Sequence, residues 1–205
     1  MLQQLKNPTN QHSPIKNKPM KTLKTLRSKF AAFTLIELLV VISIIAVLAS
    51  LALPAITGAL VKGQITQTMS NYRQLYITSQ SAALDSSASG STNTGFPGDC
   101  GSVANWSNAL VPSYLSGQSF ANLLSAKGLT ANTQCWDGTP SSNSSGVMIS
   151  TKNLTGTSNS ATLDNVAPYN LKGAAVVNVS GQAVSVTGTN VSGVTNSMNF
   201  GGTIN

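Results

Sequence analysis

Histidine is almost missing from this chain, and the single residue, His12, lies in the first 32 residues. Everything downstream therefore lacks the usual general base, and with it the Ser-His-Asp arrangement and most zinc sites. Acidic residues are scarce as well: Glu37, Asp85, Asp99, Asp137 and Asp164 are all there are. So few carboxylates make paired-acid catalysis hard to build. An enzyme is not expected, and no cofactor is implied. Charged residues make up only 8% of the chain, far below the roughly 25% usual for soluble domains. Ser, Thr, Asn and Gly fill the second half instead, so the surface must be polar and neutral. The formal charge of +7 is misleading in this respect. Seven basic residues (Lys6, Lys16, Lys18, Lys21, Lys24, Arg27 and Lys29) precede residue 33, and the other five are matched by the five acids. Clustered Lys and Arg able to capture phosphates are thus confined to the leader, and no nucleic-acid partner is expected.

Against these absences stands one long apolar run. Residues 1–32 are basic, polar and broken by Pro8, Pro14 and Pro19, which reads as an unfolded cytoplasmic leader. From Leu38 to Val61 there are twenty-four residues without a charge. As a helix the run spans about 36 Å at about 1.5 Å per residue, more than the roughly 30 Å of a bilayer core. The basic leader places the N-terminus in the cytoplasm by the positive-inside rule, and the C-terminal bulk on the exported side. A helical pattern continues over residues 62–85, with Ile65, Met69, Tyr72 and Tyr76 on one stripe and Gln64, Gln67, Asn71, Gln74 and Thr78 opposite. It ends near Asp85, where turn-forming residues begin.

Residues 86–205 read as an exported, Ser/Thr/Asn-rich, β-containing domain. Val147–Ser150 has strand character, and Ala174–Val179 with Ala183–Thr187 reads as a hairpin turning at Ser180, Gly181 and Gln182. Asn105–Leu129 reads as a short helix or loop anchored by Trp106, Leu110, Tyr114 and Phe120. The expected fold is α+β, a long N-terminal helix packed by its amphipathic half on a small antiparallel sheet.

The string Ala32-Phe33-Thr34-Leu35-Ile36-Glu37-Leu38-Leu39-Val40-Val41 closely resembles the cleavage and methylation motif of type IV pilins and type II secretion pseudopilins. The resemblance covers about residues 30–60 and implies a pilin-like fold. It also implies cleavage between Ala32 and Phe33, N-methylation of Phe33, and a role for Glu37 in assembly. The family usually has Gly before the cut, where this chain has Ala32. The proline often found further along the family's helix corresponds to Pro54, where lost hydrogen bonding predicts a bend or a locally melted stretch. A carboxylate at the edge of an apolar segment is costly unless partnered, and the amine that cleavage creates at a neighbour's Phe33 is a natural partner.

Taken with the composition along the chain, the resemblance gives an expected domain order of leader 1–32, membrane and assembly helix 33–61, amphipathic extension 62–85 and globular domain 86–205. The implied partners are a prepilin peptidase/methyltransferase, like or related pilin subunits, an inner-membrane assembly platform and membrane lipid. The chain would be a single-pass inner-membrane protein and then a filament subunit. Initiation at Met20 would give a shorter leader. A minor subunit acting as a binding module, and a soluble periplasmic protein with an ordinary secretory signal, are the rival readings. Major pseudopilins can bind calcium through an acidic loop, but here Asp164 stands alone where several carboxylates are wanted. Cys100 and Cys135 are the only cysteines. An oxidising compartment predicts a disulfide between them, with two separate buried thiols as the alternative. Asn105-Trp106-Ser107 and Asn153-Leu154-Thr155 match the glycosylation pattern only as chance predicts in so Asn- and Ser-rich a chain.

Overall fold

The computed structural model describes residues 33–90, 95–139, 145–157, 160–188, 191 and 198–204. The chain forms two units, residues 1–45 and 46–205. The first, over its described part, is the start of helix α1, Leu35–Ala88. Its side chains from Leu35 onward are exposed, as are nearly all those up to Leu60 in the second unit. The helix continues through Pro54 and Gly58, so the melted stretch that the proline suggested is absent from this chain. Pro54 removes a single amide donor, and its own carbonyl accepts from the Thr57 hydroxyl at 3.0 Å. Helix α1 ends three residues later than Asp85, at Ala88.

Within the second unit α1 buries Ile65, Thr68, Tyr72, Leu75, Ser79 and Ala82. The alternating three- and four-residue spacing keeps these positions on one face. Met69 and Tyr76, expected on this stripe, lie half-buried at its edge. Thr68 and Ser79 are inside because each has a partner. The Thr68 hydroxyl is 2.7 Å from the Tyr169 hydroxyl, and the Ser79 hydroxyl accepts from the Trp106 indole at 3.0 Å. Tyr72 reaches the Thr133 hydroxyl at 2.6 Å, and Thr133 in turn donates to the Leu124 carbonyl.

Three short helices follow: α2 (Pro97–Cys100), α3 (Val103–Leu110) and α4 (Gly117–Leu124). Serines cap α3 and α4: Ser102 accepts from the Asn105 amide and Ser116 from the Ser119 amide, each at 3.1 Å. Trp106, Leu110 and Phe120 are buried as anchors of this region, with Trp106 and Phe120 edge to face at 5.2 Å. Tyr114 is half-buried, and its hydroxyl donates to Asp85 Oδ2 at 2.6 Å.

The strands are β1 (Thr133–Trp136), β2 (Val147–Thr151), β3 (Leu154–Thr157), β4 (Ser160–Leu163), β5 (Ala174–Asn178), β6 (Ala183–Val186) and β7 (Thr203–Ile204). Five form an antiparallel sheet in the order β6-β5-β2-β1-β7, and β3 pairs with β4 as a separate hairpin. The expected hairpin is there, with Ala174 opposite Val186 and Gly181 in the turn at φ +81°. That glycine is required twice over, because an added Cβ would lie 2.4 Å from the Tyr76 ring.

Burial on β5 is continuous, and the alternation appears only when the two faces are separated. Ala175 and Val177 join the core around α1, while Ala174 and Val176 join a second core with Trp136, Leu154 and Phe200. The fold is therefore α+β, with α1 packed on a small antiparallel sheet whose far face is also covered. Asn153 is buried, and its amide nitrogen donates to the Asn170 and Gly173 carbonyls at 2.7 and 2.8 Å. It has no room for a sugar.

Candidate processing and assembly site

Ala32 lies outside the described residues; Phe33, immediately after it, is 75% exposed. Thr34 begins α1 as its N-cap: its carbonyl accepts the Leu38 amide at 3.3 Å, and its hydroxyl accepts the Glu37 amide at the same distance. Glu37 answers across the first turn. Its Oε2 accepts from the Thr34 amide at 2.8 Å and from the Thr34 hydroxyl at 2.7 Å. This is a capping box, in which residues at the cap and third helical position satisfy each other's backbone amides. The carboxylate also sits at the positive end of the helix dipole.

Thr34 was not singled out from the sequence, although its spacing to Glu37 carries the signal, a Thr followed three residues later by Glu before an apolar run. The consequence for Glu37 is chemical. An acid at the head of an apolar helix is held in a fixed direction by its own chain, and both bonds fall on one oxygen. Glu37 itself is exposed, so a cation brought alongside can reach it. Pro54 lies in the second unit.

The two cysteines sit elsewhere, in the second unit. Cys135 is buried on β1 in the core around α1, and Cys100, which ends α2, is half-buried and packs against that core. Helix α2 lies backbone to backbone against the end of β1, so that a Cβ on Gly98 would fall 2.5 Å from the Asp137 carbonyl oxygen. No disulfide joins the two residues in this structure. Burial pushes the Cys135 thiol up to about 12. Cys100 is also raised, first by burial and then by the neighbouring Asp99. Neither is thereby made a ready thiolate nucleophile.

No curated protein and no solved structure matches the chain. The family described as the prokaryotic N-terminal methylation motif matches residues 27–53. That span contains Ala32, Phe33, Thr34 and Glu37 and closes just before Pro54. Helix α1 is long and apolar enough to cross a membrane, and together with the motif it points to membrane anchoring. By residues 27–53 this chain carries the prokaryotic N-terminal methylation motif, the hallmark of type IV pilin-like and pseudopilin proteins.

Proposed function

We propose that the chain is a structural subunit of a type IV pilus-like or type II secretion pseudopilus filament. It is inserted in the inner membrane with its N-terminus cytoplasmic and residues 62–205 on the exported side. A prepilin peptidase/methyltransferase removes residues 1–32 and methylates Phe33, and an assembly platform polymerises the subunits through the N-terminal helix. Its role is structural, not catalytic. The observation that carries this reading is the oriented, exposed carboxylate of Glu37 one turn from Phe33, within the matched motif and at the head of an exposed apolar helix. The new amine at Phe33 is the cation such a carboxylate calls for, and packing side by side lets one subunit's Glu37 meet its neighbour's Phe33. That contact sets the axial register. We also include a Cys100–Cys135 bridge in the exported form, supported by the two residues sharing one core on abutting elements.

Intact-mass analysis of membrane-extracted protein should find a chain beginning at N-methylated Phe33. A stable species keeping its leader beside an active prepilin peptidase would refute the processing. Glu37→Leu makes the segment more apolar, so insertion should persist, and the junction Ala32-Phe33 is untouched. Sheared or cross-linked filaments should nevertheless be lost, because each neighbour's amine is left uncompensated. Normal filaments from the variant would sink the register role.

A further inference from the structure

The charges remaining after residue 61 are not scattered over the fold. Lys62 follows the apolar run directly. The turn Val166–Gly173 is fastened at the same level of α1, through the Tyr169 hydroxyl donating to the Gln64 carbonyl at 3.1 Å and through Gly173 abutting Ile65. It carries Lys172. Lys127 shares a groove with Gln64, Gln67 and Tyr169. Lys152 precedes Asn153, whose side chain is bonded to the Asn170 and Gly173 carbonyls. All four lysines are exposed. The one acid at this level is Asp164, beside Asn153, and its carboxylate accepts from the Thr155 hydroxyl at 2.9 Å.

The other acids after residue 61, Asp85, Asp99 and Asp137, lie at the opposite end. Asp85 is 23 residues beyond Lys62, about 35 Å along the helix. Asp99 follows Gly98 and precedes Cys100 on α2, whose approach segment at Gly95 abuts Ser79 and Ala82. Asp137 touches α2 at Gly98. Arg73 stands between the two ends.

A second feature singles out the lysine end. Among the described residues that follow α1 in the chain, the large apolar side chains left exposed are Leu129 (61%), Val166 (47%) and Leu171 (58%). Leu129 is two residues from Lys127, Leu171 is next to Lys172, and Val166 opens the same turn. Lysines interleaved with projecting apolar tips are the composition of a bilayer interface, where stems and tips enter the headgroup layer and ammonium groups meet anionic lipid. The reach is sufficient. Residues 61–68 span about 10 Å of helix, and the headgroup layer adds roughly 5–8 Å to each side of the hydrocarbon core.

We propose that this end of the globular domain, built from Lys62, Lys127, Lys152 and Lys172 with Leu129 and Leu171, docks on the anionic headgroups of the bilayer into which the chain's own helix inserts. Docking holds the unassembled subunit upright and keeps the end bearing Asp85, Asp99 and Asp137 away from the lipid. Extraction into a filament must then break these contacts. The inference rests on the membrane insertion proposed above.

The test uses the full chain in lipid nanodiscs, at one chain per disc, made of phosphatidylcholine with or without about a third phosphatidylglycerol. An amine-reactive reagent and peptide mapping read each lysine. Each lysine near an anionic surface gains about 1 kcal/mol, so labelling of Lys127, Lys152 and Lys172 should slow about fivefold with phosphatidylglycerol. It should recover at about 1 M salt, where the screening length falls to about 3 Å. Amide exchange over residues 126–130 and 166–173 should slow in parallel. The variant Lys127→Gln/Lys152→Gln/Lys172→Gln/Leu129→Ser/Leu171→Ser changes exposed positions only and should lose that amide protection. Incorporation into discs with equal labelling in both lipids would overturn the docking and leave the insertion standing. Failure to incorporate would overturn both. Protection that ignores lipid charge and grows with the number of chains per disc would assign this end to subunit contact and overturn the proposal.

Discussion

Glu37 serves its own chain first, whatever the assembly role proposed for it. The capping box holds Oε2 against Thr34, so part of the cost of fixing the carboxylate for the proposed contact with a neighbour is already met. Thr34→Ala removes both hydroxyl contacts and keeps the acid. In the leader-trimmed chain in micelles, exchange of the Glu37 and Leu38 amides should quicken several-fold as the first turn frays, and filament yield should fall less than in Glu37→Leu. Unchanged exchange would show that the box does not order the helix start. Asp99 offers a second test at this scale. Burial raises its pKa from the ordinary aspartate value, so the folded state holds the proton more tightly than the unfolded chain. The stabilisation is fully present below the unfolded value and is lost as pH rises through the folded one. Asp99→Asn should therefore raise the melting temperature at about pH 7, with the gain closing near about pH 3. A gain of equal size at both pH values would exclude the carboxylate as its source.

At the scale of elements, α1 uses opposite faces differently over the same turns. Leu75 is wholly buried, whereas Ile77 is 56% exposed. Leu75→Ala should cost about 2–5 kcal/mol in denaturant unfolding of the globular domain, and Ile77→Ala within about 0.5 kcal/mol. Similar losses for the two would mean that the helix packs differently. The period of the amphipathic half was readable beforehand, and so was Tyr72. The centre of the stripe was not, because Thr68 and Ser79 look like surface residues until Tyr169 and Trp106 are brought against them from 101 and 27 residues away. The β5–β6 hairpin was legible, since its turn and its β-branched runs are local. Helices α3 and α4 read from the sequence as a single short helix or loop, although Ser102 and Ser116 mark their starts.

For the molecule as a whole, redox state remains a testable property. A Cys100–Cys135 bridge closes a loop of about 35 residues and adds about 3–4 kcal/mol in the chain-entropy model. Non-reducing peptide mapping of exported protein should recover the two cysteines in one linked pair; two unlinked thiols would reject the bridge. With Cys135 raised to about 12, the reduced folded protein should oxidise slowly in air unless an oxidant reaches the chain before it folds. The sequence by itself determined the long apolar run, the motif around Phe33 and Glu37 and the α+β class, because each of these rests on local composition or on a fixed spacing along the chain. Only the tertiary structure decided that β5 is covered on both faces, that polar Thr68 and Ser79 belong to the core, and that Lys62, Lys127, Lys152 and Lys172 gather at one end. Those properties depend on contacts between residues tens to a hundred positions apart, and such partners leave no trace in the neighbouring sequence.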